Sequence, residues 1–157
     1  MELSLAVERP VELPLAGRKE ARLDGIRVLV VDDHDEVRAA IAATLIESGA
    51  EVMATGDGLA ALAAVRQRWA DVLVSDIAMP GMDGHELIRQ IRRLGIARGG
   101  NVPALALTAY ASQRDRTRAL LEGFQVYLAK PFEPEELIAL VADLAGVTPR
   151  GTPVADS

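Results

Sequence analysis

The chain has 157 residues, half of them apolar and a quarter charged, a balance that suits one globular domain and excludes a disordered chain. Its formal net charge of −6 gives no general attraction to nucleic acid, and the absence of cysteine removes disulfide frameworks, thiolate metal sites and cysteine nucleophiles. No apolar run approaches the ~18 residues of a membrane helix, and residues 1–10 show no basic region before an apolar block, so neither membrane insertion nor export is expected and a cytoplasmic setting is.

Residues 1–24 carry Pro10, Pro14 and a mixed-charge patch without sustained period, which reads as an extension or linker. From residue 25 a short apolar run, a polar turn and a segment of helical period repeat about five times. The strand candidates are 26–31, 51–55, 72–75, 104–107 and 125–129, several continuously apolar as a parallel strand covered on both faces requires. Between them, Val37, Ile41 and Leu45 form a first helical stripe that stops at Ser48 and Gly49, and Leu62, Val65 and Trp69 form a second, with Trp69 expected in the core. Met79-Pro80-Gly81 is a turn, after which Leu87, Ile88, Ile91 and Leu94 make a third stripe. Ser112 with Asp115 is a capping-box-like start for a fourth helix ending at Gly123, and Pro134 opens a fifth through Leu137, Ile138, Val141 and Leu144. Residues 147–157 read as a disordered tail, leaving 25–146 as the domain. Right-handed crossovers make this an α/β fold with a doubly wound five-stranded parallel sheet, whose loops at the carboxyl ends of the strands form the site.

Four of the five strand candidates end in polar groups: Asp32 and Asp33, Asp76, Thr108, and Lys130. A parallel sheet places all of them on one edge. Carboxylates gathered there repel by roughly 4 kcal/mol per close pair at an effective dielectric near 20, so a cation must compensate. An oxygen-only, water-accessible donor set favours Mg²⁺, with phosphate oxygens as natural co-ligands. A carboxylate can attack phosphorus to give an acyl phosphate, and Asp76, alone on the third strand, is the candidate nucleophile. Lys130 is one of only two lysines among 17 basic residues; its compact ammonium suits a phosphoryl oxygen, while the Thr108 hydroxyl and the backbone N–H groups of Ile77 and Ala109 complete a cradle.

Taken together, Val28–Val31 followed by Asp32-Asp33, then Ser75-Asp76-Ile77-Ala78-Met79-Pro80-Gly81-Met82-Asp83-Gly84, then Leu107-Thr108-Ala109, then Lys130-Pro131-Phe132, resemble the receiver domain of two-component response regulators. The resemblance covers about residues 26–144. It implies a flavodoxin-like (βα)5 sheet of strand order 2-1-3-4-5 and a phosphoacceptor domain that acts only on its own phosphorylation state rather than an enzyme with a separate substrate. It further implies that Asp76 takes phosphate from a phosphohistidine, that Asp33, Asp76 and the Ala78 carbonyl bind Mg²⁺ (or Mn²⁺), and that Asp32 acts through a metal-bound water. Thr108 and Tyr127 are then switch residues that remodel the face of the fourth helix, fifth strand and fifth helix, and the Lys130–Pro131 bond is expected to be cis. Ala78 and Tyr110 occupy positions that tune phosphate lifetime in the family, and a methyl at Ala78 cannot orient a water, so slow self-dephosphorylation is expected. The implied partner is a sensor histidine kinase or a histidine phosphotransfer domain, with the chain a monomer or a weak phosphorylation-dependent dimer.

Simpler roles exist for several of these residues. Asp32-Asp33 also suits a helix cap, His34 and His85 are expected to be exposed at helix starts, and Arg114, Arg116 and Arg118 make a solvated basic edge. A haloacid-dehalogenase phosphatase shares the Asp33-His34-Asp35 spelling but requires an acidic pair after the later lysine, where this chain has Pro131. A receiver reduced to a docking module would lack chemical positions that are filled here. Val11-Glu12-Leu13-Pro14-Leu15 resembles the last strand of a histidine-kinase ATP-binding domain, which favours a hybrid-kinase receiver over a stand-alone regulator.

Overall fold

The computed structural model describes residues 22–109 and 112–146. The expectations placed on residues 11–15, on the extension up to residue 21, on Tyr110 and on the tail from 147 lie outside the described residues. The elements are β1 (Arg27–Val31), α1 (Asp35–Glu47), β2 (Glu51–Thr55), α2 (Gly58–Arg66), β3 (Val72–Asp76), α3 (Gly84–Arg93), β4 (Ala104–Thr108), α4 (Gln113–Glu122), β5 (Val126–Ala129) and α5 (Pro134–Leu144). All pairings are parallel and the order is β2-β1-β3-β4-β5, the doubly wound five-stranded sheet expected from the sequence.

Side chains alternate between the two faces of a strand, so each central strand feeds two cores. Leu29, Val31, Leu73 and Ala106 face Leu62 and Val65 of α2, Leu87, Ile88 and Ile91 of α3, and Ala119 of α4. Val28, Val30, Val74, Leu105 and Leu107 face Ile41 and Leu45 of α1 and Leu137 and Val141 of α5. Every residue of β3 and β4 is buried, as a run covered on both sides must be. Burying each Leu, Ile or Val side chain contributes roughly 1.5–3 kcal/mol, which is how a chain without cysteine holds its shape.

The helix starts follow the local chemistry. Asp57 caps α2 by accepting from the Leu59 N–H, Asp83 caps α3 by accepting from Glu86, and Ser112 caps α4 by accepting from Asp115. At α5, Glu133 and Glu136 form a capping box with Pro134 in the first turn.

Several boundaries differ from the sequence reading. β3 and β4 run one residue further, because the ladder continues through the pairs Asp76–Leu107 and Thr108–Ala129, and β5 begins at Val126. Val37, assigned to the buried stripe of α1, is exposed. Trp69 is partly buried beyond the end of α2; Arg68 turns the chain at φ 59°, and the Trp69 ring carries the Arg27 guanidinium 5.7 Å from its centroid. A 3-10 turn at Ile96–Arg98, between α3 and β4, was not anticipated. Among the described residues no helix is long and apolar enough to cross a membrane.

Candidate functional site

The ends of β1, β3, β4 and β5 converge as the parallel sheet requires. Asp32 follows β1 and is fully buried, Asp76 closes β3 with 3% exposure, and Thr108 closes β4, also buried. Lys130 reaches in from the end of β5, its Nζ 3.2 Å from Asp32 Oδ2 and 3.4 Å from Asp76 Oδ1. One amine thus lies between two buried carboxylates that arrive from different strands.

Backbone bonds fix these groups. The Asp32 N–H donates to the Thr55 carbonyl and the Lys130 N–H to the Thr108 carbonyl, while Asp32 Oδ1 accepts from the His34 N–H at 2.9 Å. Arg38, which sequence reasoning did not single out, donates to the Asp32 carbonyl at 2.8 Å and pairs with Asp35 one helical turn earlier. Its spacing from Asp35 on α1 was the available signal.

Ligand atoms of Asp32, Asp33, His34 and Asp76 all lie within 4.8 Å of one another. Asp33 Oδ1 is buried without a hydrogen-bond partner, and an unpaired carboxylate oxygen among like charges fits a divalent cation that would satisfy it. Burial raises the Asp76 carboxyl above its ordinary value; Lys130 opposes that shift, and the Asp32 charge adds to it.

The Ile77 N–H donates to the Leu107 carbonyl at 3.0 Å as the last bond of the β3–β4 ladder, and it also lies against the Asp76 carboxylate, whose pKa it pulls down. Ala109 follows β4 at the surface, and Ala78 is exposed in the loop after Asp76. The Lys130–Pro131 bond is cis, as expected.

Beside Thr108 a pocket of about 190 Å³ is lined by Ile77, Ala78, Asp83, His85, Asp115 and Tyr127. The Tyr127 hydroxyl is buried without a hydrogen-bond partner of good geometry, and burial raises the phenol pKa while the Thr108 side chain pulls it down. The Arg116 guanidinium covers the ring at 5.6 Å. Arg114, Arg116 and Arg118 are exposed, as expected of a basic edge.

His34 is exposed as expected, but His85 is not. It lies 8% exposed on the first turn of α3, with Nδ1 against Glu122 Oε1 at the end of α4. Glu122 also receives Arg89 at 2.7 Å, so this cluster ties α3 to α4. Gly84, quoted only as part of a motif, has a steric duty: a Cβ there would come 2.5 Å from the Asp76 carbonyl oxygen and 2.7 Å from Ile77 Cα.

The model of the response regulator receiver domain matches residues 28–142. The chain belongs to that family. It is 46% identical over 114 residues to a 14.6 kDa protein of Leptolyngbya boryana, covering 73% of this chain and 86% of that protein. It is 38% identical over 136 residues to the transcriptional regulatory protein TcrA of Mycobacterium tuberculosis, covering 85% of this chain but only 52% of TcrA. Among solved structures, the receiver domain of the sensor histidine kinase PA1611 from Pseudomonas aeruginosa superposes with a TM-score of 0.71 at 34% identity, covering 78% of this chain and 98% of that one. That structure holds a magnesium ion in its active site cleft. The chain is a receiver domain of two-component signalling, a signalling domain rather than a typical enzyme.

Proposed function

We propose that Asp76 is the phosphoacceptor and that Lys130, Thr108 and the Ala109 N–H hold the incoming phosphoryl oxygens. The placement of Lys130 Nζ between Asp32 and Asp76 carries this reading, because an amine there neutralises charge at the atom that attacks. In the transfer an Asp76 carboxylate oxygen forms the new P–O bond, the P–N bond to the donor imidazole breaks, and the departing nitrogen keeps the electron pair. Asp33, Asp76 and the Ala78 carbonyl would hold Mg²⁺ or Mn²⁺, with Asp32 acting through a water. When bound, the ion neutralises charge on the phosphoryl oxygens. The domain catalyses only its own phosphorylation and dephosphorylation, and Ala78 offers no group to orient a hydrolytic water.

The donor is a sensor histidine kinase or a histidine phosphotransfer domain. Val37, Ala40 and Thr44 of α1 and Phe132 and Pro134 at the start of α5 line an apolar groove of about 350 Å³ next to the acidic edge. A phosphohistidine-bearing helix seats in that groove, which Glu36 also lines, and presents its imidazole to Asp76. After transfer, Thr108 moves toward the phosphoryl group, Tyr127 takes up the space vacated, and the face of α4, β5 and α5 is remodelled. The hybrid-kinase origin suggested by residues 11–15 stands as part of this proposal, with 25–146 as the autonomous unit.

Beryllium fluoride with Mg²⁺ tests the site without a kinase. We expect saturable binding, with NMR shifts at Thr108, Ala109, Tyr127 and along α4, all lost in Asp76→Asn. Binding that survives Asp76→Asn refutes the assignment.

A further inference from the structure

His34 occupies the cap position of α1, yet its side chain makes no capping hydrogen bond. The imidazole turns instead toward the acidic edge, with Nδ1 3.4 Å from Asp32 Oδ1 and 3.4 Å from Asp33 Oδ1. One of those oxygens, Asp33 Oδ1, is buried and lacks a hydrogen-bond partner. Lys130 approaches Asp32 through the other oxygen, Oδ2, so the amine and the imidazole lie at different corners of the cluster. Adjacent ligand atoms around an octahedral ion with bonds of ~2.1 Å are roughly 3.0 Å apart. The His34–Asp33 separation of 3.4 Å exceeds that by a few tenths of an ångström, which a rotation of an exposed ring removes.

We infer that His34 is an imidazole ligand of the divalent-ion site, so that first-row transition ions such as Ni²⁺, Co²⁺ and Zn²⁺ gain a ring-nitrogen contact there that Mg²⁺ does not need. The inference rests on the proposed metal site and adds to it a donor of different chemistry. Carboxylate, carbonyl and water oxygens suit Mg²⁺ and Mn²⁺; a neutral ring nitrogen contributes little to a hard ion but strongly to Ni²⁺, Co²⁺ and Zn²⁺. The cap position places His34 directly after Asp33 at the entry to α1, within 4.8 Å of the ligand atoms of Asp32, Asp33 and Asp76. With only two histidines in the chain, and His85 engaged with Glu122, the assignment is experimentally separable.

The test is isothermal titration of the 157-residue protein and its His34→Ala and Asp33→Asn variants with MgCl₂ and separately with NiCl₂, joined to imidazole ¹⁵N spectra recorded with and without Zn²⁺. His34 is exposed at the surface, so the alanine variant is expected to fold, which circular dichroism checks. We expect His34→Ala to weaken Ni²⁺ binding tenfold or more while Mg²⁺ binding changes less than twofold, and Zn²⁺ to shift the His34 Nδ1 resonance without moving His85. Equal affinities of wild type and His34→Ala for Ni²⁺, or an unmoved His34 resonance at saturating Zn²⁺, overturn the inference and leave the acidic site standing. Mg²⁺ and Ni²⁺ binding both unchanged in Asp33→Asn would instead refute the acidic site itself, and this inference with it.

Discussion

Replacing Lys130 with methionine keeps the aliphatic stem and removes the amine, leaving Asp32 and Asp76 buried without their shared cation. With Nζ at 3.2 and 3.4 Å from the two carboxylates, each attraction is about 5 kcal/mol at an effective dielectric of 20. Much of that gross attraction offsets the cost of burying the three groups, and breaking a buried pair by removing one partner typically costs about 3–5 kcal/mol. We expect that loss near neutral pH in the absence of divalent ions, read as the shift in urea midpoint or as a drop in Tm on the order of 10 °C. The pH dependence follows from Asp76. Its pKa in the folded protein is raised by burial, so its contribution to stability is fully present below the ordinary carboxylate value and is lost as pH rises through the folded value. Lys130 holds that value down, and removing the amine moves it further up and widens the window of loss. The penalty of Lys130→Met is therefore small near pH 4 and grows toward neutrality, and adding Asp76→Asn recovers most of it. A penalty that is the same at both ends of the pH range, or no penalty at neutral pH, refutes the electrostatic reasoning.

Three further outcomes are expected. Gly84→Ala forces a methyl against the Asp76 carbonyl and Ile77 backbone, and we expect a loss of about 2 kcal/mol or more in urea unfolding together with weaker beryllium fluoride binding. Arg92 donates to the carbonyls of Gly100, Val102 and Gly123, so Arg92→Met should lower stability by about 2–4 kcal/mol without changing Mg²⁺ affinity in titration calorimetry. The phosphorylated domain, prepared with a small phosphodonor and then gel-filtered, should lose phosphate over minutes or longer, and Ala78→Gln should hasten the loss several-fold; a half-life of seconds in the unsubstituted protein contradicts the role given to Ala78.

The sheet was legible because buried parallel strands leave continuous apolar runs such as Val28–Val31 and Ala104–Leu107, and because Ser112 with Asp115, and Pro134, mark helix starts by local chemistry alone. The meeting of Asp32, Asp76 and Lys130 was legible for a topological reason: in a parallel sheet every strand's carboxyl end reaches the same edge. What stayed hidden depends on distances between segments far apart in the chain. Nothing local to His85 announces Glu122 across the α3–α4 interface, so an exposed histidine was the natural expectation. The ladder bond from Ile77 to Leu107 depends on β3 extending to Asp76, one residue past the apolar run. Likewise, the steric need for glycine at 84 appears only once α3 packs its first turn on the Asp76 carbonyl.

The most direct measurement is reductive trapping of the acyl phosphate. The domain is phosphorylated with a small phosphodonor and Mg²⁺, treated with borohydride, digested and sequenced by mass spectrometry. An aspartyl phosphate is converted to homoserine, and the account predicts homoserine at position 76 alone, none of it in Asp76→Asn. Homoserine at 32 or 33, or its persistence elsewhere once Asp76 is replaced, would contradict the account.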